Sequence, residues 1–143
     1  THTPEHELQA QVHKASAKMA WVRMDKEFLY SHIFIGDLNA KKGEVIDTGV
    51  HYSFHPQWHP SGQYLIFTSN LANYDNYEIY AFDLKTQCLL RLTYLTSNEL
   101  DPTFSPDGQY IYFSSNLEDS FQIYRMKFNP PISCPVEQNS ARL

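Results

Sequence analysis

Short apolar segments alternate with tight polar turns along the chain, and this pattern repeats every 46 residues. Residues 55–71 read HPQWHPSGQYLIFTSNL and residues 101–117 read DPTFSPDGQYIYFSSNL, so nine of 17 paired positions are identical. A more divergent first copy has the same offset, since IFIGDL precedes IYAFDL by 46 residues. We therefore interpret the chain as three repeats, at about 9–54, 55–100 and 101–128.

Each repeat predicts four short antiparallel strands. The first strand ends at Trp58 or Phe104 and is followed by a Pro-Ser-Gly or Pro-Asp-Gly turn. Proline presets φ in such a turn, and glycine accepts a positive φ without steric penalty. In the second strand Leu65 and Phe67 alternate with Ile66, so the two sets are expected to face opposite sides of the sheet. The later strands are predicted at 78–84 and 122–128 (third) and at 88–93 and 44–48 (fourth).

The N-terminal residues fit two local structures. A helix is predicted by Thr3 as N-cap, Pro4 at the first helical position and an apolar stripe that begins at Leu8 and Val12. The frame of the later copies favours a first strand at residues 9–13 instead.

Four short strands per repeat are typical of a β-propeller. We expect an all-β fold of three four-stranded antiparallel blades, in a ring that is incomplete or completed by an oligomer. An ordinary β-sandwich with a duplicated hairpin is the alternative. The blades are expected within residues 1–128, followed by a proline-containing C-terminal tail at 129–143.

Composition and charge narrow the classes of function. The chain has 143 residues, a formal net charge of -5 and scattered basic residues, which argues against binding nucleic acid. It contains no run of about 18 apolar residues, so no membrane insertion is expected. Cys88 and Cys134 lack the spacing of a metal site, and the sequence does not establish whether they meet in a disulfide.

The sequence shows no constellation for catalysis or for metal binding. His51, His55 and His59 are spaced by four residues, but Pro56 and Pro60 exclude a helix through them. In a strand, four residues span about 13 Å, which is too far for neighbouring ligands of one metal. Nucleophile elbows, zinc helices and phosphate loops are absent as sequence motifs, so no catalytic residue, metal or cofactor is expected.

Tyr74, Asp75 and Tyr77 are the candidate residues for binding a partner. They lie in a loop two residues longer than its copy in the third repeat, and tyrosine supplies large contact area at low entropic cost. The alternative is that Tyr77 fills the core, like its counterpart Phe121.

The repeat strings DPTFSPDGQYIYFSSNLEDSFQIYRM and HPQWHPSGQYLIFTSNLANYDNYEIYAFDL closely resemble the WD40-like repeat of TolB-type β-propellers. The third copy matches the family pattern nearly throughout. In the second copy His55, His59 and Ser61 replace the usual Asp, Ser and Asp, and the first copy lacks the proline-glycine turn.

The resemblance implies a function without selecting one protein. It implies a six-bladed periplasmic propeller that binds other proteins and is not an enzyme, while similar propellers form domains of peptidases and of a polysaccharide-degrading lyase. We therefore expect a non-catalytic protein-binding scaffold, periplasmic or otherwise exported, with a protein partner. The alternative is the propeller domain of a prolyl-oligopeptidase-like peptidase or a polysaccharide-degrading enzyme whose catalytic part is absent. Two copies of the chain are a candidate homodimer that closes a six-bladed ring.

Overall fold

Three antiparallel sheets make up the fold. The computed structural model describes residues 5–39 and 42–135, and this part of the chain contains strands and turns without a helix. Its strands are β1 (His6–His13), β2 (Lys18–Met24), β3 (Ser31–Asp37), β4 (Glu44–Val45), β5 (Ser53–Trp58), β6 (Tyr64–Ser69), β7 (Glu78–Asp83), β8 (Cys88–Arg91), β9 (Glu99–Phe104), β10 (Tyr110–Ser115) and β11 (Gln122–Lys127).

The sheets are three successive propeller blades. Blade I has the order β1-β2-β3-β4, blade II the order β5-β6-β7-β8, and blade III the order β9-β10-β11. The prediction of four strands is confirmed for blades I and II and is wrong for blade III as described. Residues 129–135 follow β11 without forming a strand. Pro130, Pro131 and Pro135 have no N–H to donate to a sheet, which accounts for the missing fourth strand.

The N-terminal segment is a strand, so the helical alternative is wrong. β1 pairs antiparallel with β2 from His6↔Met24 to His13↔Lys18. These cross-strand hydrogen bonds outweigh the helical pattern, which by itself stabilises a short helix only marginally. Thr3 and Pro4 lie outside the described residues.

The apolar core lies between the blades. Leu65 and Phe67 of β6 pack against Val22 and Ile33 of blade I, whereas Ile66 of β6 packs toward blade III. The alternation predicted for this strand is therefore confirmed. Both faces of blade II are buried because each is covered by a neighbouring blade.

A stacked aromatic pair recurs on the same side of every blade. In blades II and III this pair packs against the preceding blade, whereas the pair of blade I faces away from blade II. The ring centroids are separated by 5.8 Å for Trp21–Phe34, 5.9 Å for Phe67–Tyr80 and 6.1 Å for Phe113–Tyr124. The opposite outward face, on blade III, carries the exposed side chains of Tyr112, Ile123 and Arg125.

A disulfide joins blade II to the tail. Cys88, at the start of the outer strand β8, is bonded to Cys134, and their Cα atoms are 5.5 Å apart. The tail therefore leaves β11 and returns to the outer edge of blade II. Phe128, at its beginning, is buried against the rings of His59, Tyr64 and Phe104.

The inner strands share a bulge with a left-handed residue. Gln9, His55 and Asp101, spaced by 46 residues, have φ values of 53°, 57° and 53°. The side-chain oxygen Oε1 of Gln9 accepts a hydrogen bond from the His55 N–H, at 2.7 Å. Nδ1 of His55 lies 2.8 Å from Oδ1 of Asp101. The bulge residues thus connect the three inner strands in series.

Candidate interaction surface

The two ends of the blades have different loops. We call one the long-loop end; it comprises the loops 25–30, 70–77 and 116–121 and the connections 46–52 and 92–98 between blades. We call the other the short-turn end; it comprises the turns 14–17, 59–63, 84–87 and 105–109 and the described residues 38–39 and 42–43.

The long-loop end is continuous across the three blades. Asn70, after β6, accepts a hydrogen bond from the Tyr52 N–H at 2.7 Å, and Asn116, after β10, accepts one from the Asn98 N–H at 2.7 Å. These asparagines are the last polar positions of the repeated TSN and SSN strings. Each asparagine fastens the connection that arrives from the preceding blade, so loops of adjacent blades lie side by side.

Apolar side chains are exposed mainly at this end. Eight of the fifteen exposed large apolar residues in the described chain belong to the long-loop end. They are Phe28, Leu29, Val50, Tyr74, Tyr94, Leu95, Leu117 and Phe121. Contiguous exposed apolar surface is characteristic of interaction sites.

The three predicted partner-binding residues have different environments. Tyr74 is 60% exposed and Asp75 is exposed, as a contact surface requires. Tyr77 is half-buried beneath the connection to blade III, where its N–H donates to Asn98 Oδ1 at 2.9 Å. Burial raises the pKa of the Tyr77 hydroxyl, and Tyr74 raises it further. Tyr77 is therefore mainly a support for the loop.

Phe121 does not face the core, contrary to the expectation from its alignment with Tyr77. It is 53% exposed. The connection 92–98 covers Tyr77, and the described residues provide no corresponding connection over Phe121.

The ring of Tyr74 belongs to an aromatic patch, which we define as Phe28, Tyr52 and Tyr74. The Tyr52 and Tyr74 ring centroids are 6.1 Å apart, and the Tyr52 hydroxyl donates to the Phe28 carbonyl oxygen at 2.7 Å. Sequence reasoning missed Phe28 and Tyr52. They come from the divergent first repeat and the connection that follows it, where the repeat gives no matching signal.

The loop that carries Phe28 is held in a fixed conformation. Oδ1 of Asp25 accepts hydrogen bonds from the N–H groups of Leu29 and Tyr30, at 2.5 and 3.3 Å. Phe28 has a φ of 60°, a rare value for a bulky residue, and its side chain is 57% exposed. Backbone strain of this kind is concentrated at functional sites.

Tyr52 is the fixed centre of the aromatic patch. Burial raises the pKa of its hydroxyl, and Tyr74, Tyr77 and Asp25 raise it further. The phenol therefore stays protonated at neutral pH and keeps its hydrogen bond to Phe28.

Two buried glutamates lie beneath the long-loop end at the joint of blades II and III. Glu78 Oε1 accepts hydrogen bonds from Asn76, Arg91 and the Leu95 N–H, and Thr93 donates to Oε2. Oε1 of Glu99 accepts hydrogen bonds from two serine hydroxyls, Ser97 at 2.5 Å and Ser115 at 2.7 Å.

The pKa of Glu99 is raised by its surroundings. Burial raises the pKa of Glu99, and Glu78 raises it further, against the opposing hydrogen bonds from the two serines. Glu78 accepts four hydrogen bonds, spread over both of its carboxylate oxygens.

His51, His55 and His59 each contact a different partner in the structure. His51 Nε2 lies 2.9 Å from Oδ2 of the buried Asp47, His55 contacts Asp101, and His59 contacts blade III. Burial lowers the pKa of His59. Within residues 5–39 and 42–135, no group of three His, Cys, Asp or Glu residues is arranged to hold a metal ion. The same residues contain no helix long and apolar enough to cross a membrane.

A family comparison agrees with the repeat and the three blades. The family model of the TolB β-propeller domain matches residues 3–136. The chain belongs to this family. No curated protein sequence matches this TolB-like chain.

Solved TolB structures are similar to the TolB-like chain. TolB from Acinetobacter baumannii is 28% identical, with a TM-score of 0.70 over 87% of this chain and 30% of that protein. A TolB from Agrobacterium tumefaciens, described as putative, is 23% identical, with a TM-score of 0.68 over 82% of this chain and 41% of that protein. The chain therefore spans well under half the length of either TolB.

The same fold occurs in an enzyme. The acylaminoacyl peptidase of Pyrococcus horikoshii is 16% identical, with a TM-score of 0.59 over 78% of this chain and 17% of that protein. At this identity the similarity shows the propeller fold alone.

Proposed function

We propose that the TolB-like chain is a non-catalytic protein-binding module that contacts its partner through the long-loop end. The aromatic patch is the observation that supports this proposal most directly. Tyr74 and Phe28 are exposed on loops held by internal hydrogen bonds, among them one from the Asn70 amide to the Tyr74 carbonyl oxygen, so little conformational entropy is lost when a partner binds. In protein interfaces most of the binding energy comes from a few residues, and tyrosine is enriched among them.

The family and the disulfide support an exported location. Disulfides persist in oxidising compartments, and Cys88–Cys134 closes a loop between blades. Together with membership of the TolB propeller family, this supports the periplasm or another exported location. The proposal that a second copy closes a six-bladed ring concerns other surfaces, the outward faces of blades I and III, and it is compatible with binding at the loops.

The proposed function is tested by selecting ligands from a displayed library of short peptides on the immobilised chain. Ligands of the patch are expected to lose at least tenfold in affinity on Tyr74→Ala, because truncating an aromatic hot-spot residue costs about 2 kcal/mol or more. Lys85→Ala, at the short-turn end, is the matched control and is expected to leave affinity unchanged. Selection of peptides that bind both variants equally would contradict the proposal.

The alternative, a propeller domain of a peptidase or polysaccharide-degrading enzyme, is supported only by likeness of fold. Hydrolase or lyase activity in the purified chain, abolished by a single substitution, would overturn the non-catalytic proposal.

A further inference from the structure

Charge is distributed unequally between the two ends of the blades. The loops and connections of the long-loop end contain six carboxylates, at Asp25, Glu27, Asp47, Asp75, Glu118 and Asp119, and one lysine, Lys26. The described turns of the short-turn end contain one carboxylate, Asp107, and three lysines, at positions 14, 42 and 85. Of the six carboxylates, Asp47 is buried and Asp25 binds backbone N–H groups, which leaves four exposed charges.

Exposed carboxylates flank the aromatic patch itself. Glu27 precedes Phe28 in the first loop, and Asp75 follows Tyr74 in the second. The two loops meet through Tyr52, whose ring lies near Tyr74 and whose hydroxyl binds the Phe28 carbonyl. Each of the two exposed rings thus adjoins an exposed carboxylate in the sequence, and Lys26 is the one basic residue in these loops. The Phe28 ring also stacks on the imidazole of His6, with ring centroids 4.7 Å apart.

The fold itself pairs cations with aromatic rings. Every arginine among the described residues has its guanidinium carbon over an aromatic ring. The distances to the ring centroid are 4.2 Å for Arg23 over Phe34, 4.3 Å for Arg91 over Tyr94 and 4.5 Å for Arg125 over Tyr110. A cation over an aromatic face gains about 0.5–2 kcal/mol, and a nearby carboxylate adds to the attraction.

We propose that the aromatic patch binds a segment of a partner protein rich in lysine and arginine, with a cationic side chain against Tyr74 or Phe28 and its charge beside Asp75 and Glu27. This inference rests on the proposed function and specifies the chemistry of the partner. The four exposed carboxylates would repel an acidic segment. They attract a basic segment both during its diffusional approach and in the bound complex.

The inference is tested with two labelled peptides of equal length. One alternates Lys and Arg with Gly and Ser, and the other carries Glu in place of each basic residue. Fluorescence anisotropy is expected to show binding of the basic peptide alone, weakened by added salt. Comparable binding of the acidic peptide would overturn the inference.

Variants locate the site of the basic peptide. Tyr74→Ala is expected to weaken binding about tenfold through loss of the ring. The double variant Glu27→Gln with Asp75→Asn removes both flanking charges with little change in volume and is expected to weaken binding by a similar factor. The control Asp107→Asn removes one carboxylate at the other end, and an equal effect there would show nonspecific attraction and overturn the inference.

The library selection separates this inference from the proposed function. Ligands that depend on Tyr74 but lack Lys and Arg would sustain protein binding at the patch and overturn its cationic specificity. Ligands whose affinity is unchanged by Tyr74→Ala would overturn both the proposed function and this inference.

Discussion

The imidazole of His59 in blade II lies against Gly108 in blade III. Nε2 of His59 is 3.1 Å from the Gly108 carbonyl oxygen. A Cβ atom built on Gly108 would lie 2.3 Å from the same nitrogen, and Gly108 has a φ of 73°. The joint between these blades therefore requires glycine for two reasons, its backbone conformation and the space occupied by the ring.

Gly108→Ala is expected to lower the free energy of unfolding by about 2 kcal/mol or more, from left-handed strain and the clash with His59. Urea denaturation measures this change. In the double variant with His59→Ala the clash is relieved while the backbone strain remains. The glycine substitution should thus cost less in the His59→Ala background than in the native one, and equal costs in both would contradict the steric account.

Cys134→Ser is expected to destabilise the chain by about 4 kcal/mol, because the disulfide closes a loop with a sequence separation of 46. Cys134 is half-buried whereas Cys88 is buried, so the change at 134 disturbs packing less. Thermal unfolding with and without dithiothreitol provides the control. The native chain and the variant should unfold at similar temperatures once the thiols are reduced, and a persistent large difference would point to packing instead.

Glu99→Gln is expected to flatten the dependence of stability on pH. The pKa of Glu99 is raised in the folded state above its ordinary value of 4.5, so the folded chain binds this proton more tightly than the unfolded chain. The native chain should therefore lose stability as pH rises from about 4.5 through the raised pKa, and then show no further loss from this group. Chemical denaturation across this pH range measures the slope.

Asp107→Asn is the control of opposite sign. Hydrogen bonds from Ser105 and from the Gln109 N–H hold the pKa of Asp107 below its ordinary value. This carboxyl therefore contributes stability at higher pH that is lost as pH falls through its lowered pKa. The variant should remove part of the acid-side loss and leave the Glu99-dependent slope intact. An unchanged slope in Glu99→Gln would refute the assignment to Glu99.

Alanine substitutions of Tyr80 and Tyr74 are expected to differ sharply in their effect on the free energy of unfolding. Tyr80 is 3% exposed in the core between blades I and II, so Tyr80→Ala should cost about 3–5 kcal/mol. Tyr74 is 60% exposed, and Tyr74→Ala should change stability by no more than about 0.5 kcal/mol. Urea denaturation of both variants distinguishes the roles. A large loss for Tyr74→Ala would assign the aromatic patch to folding rather than to binding.

A homodimer is expected from the two outward faces, because three blades leave one face uncovered at each end and propellers commonly close with four to eight blades. Sedimentation equilibrium should then give about twice the chain mass of 16.7 kDa. A stable monomer over a wide concentration range would eliminate the closed pair.

The turns and strands that recur in each repeat could be predicted from the sequence. The turn glycines at 62 and 108 have φ values of 77° and 73°, and the strands between the turns follow the alternation read from Leu65 to Phe67. A repeat carries the same constraint to each blade, so strand positions could be read without a structure.

Features that join distant or unlike segments escaped sequence reasoning. The Cys88–Cys134 bond forms because the tail returns to blade II, and no local sequence pattern predicts that return. The aromatic patch likewise depends on Phe28 and Tyr52, which are brought to Tyr74 by packing of unlike loops. Both are products of tertiary arrangement rather than of the repeat.

The unlike outward faces of blades I and III give the chain a direction. The stacked Trp21–Phe34 pair belongs to one face, and Ile123 and Arg125 belong to the other, so neither face is a copy of the other. Copies that associate through them must do so head to tail, and the curvature of each copy then decides the product. If three blades turn through half a circle, two copies close a ring; if the turn does not divide a full circle evenly, the same contact continues into a filament.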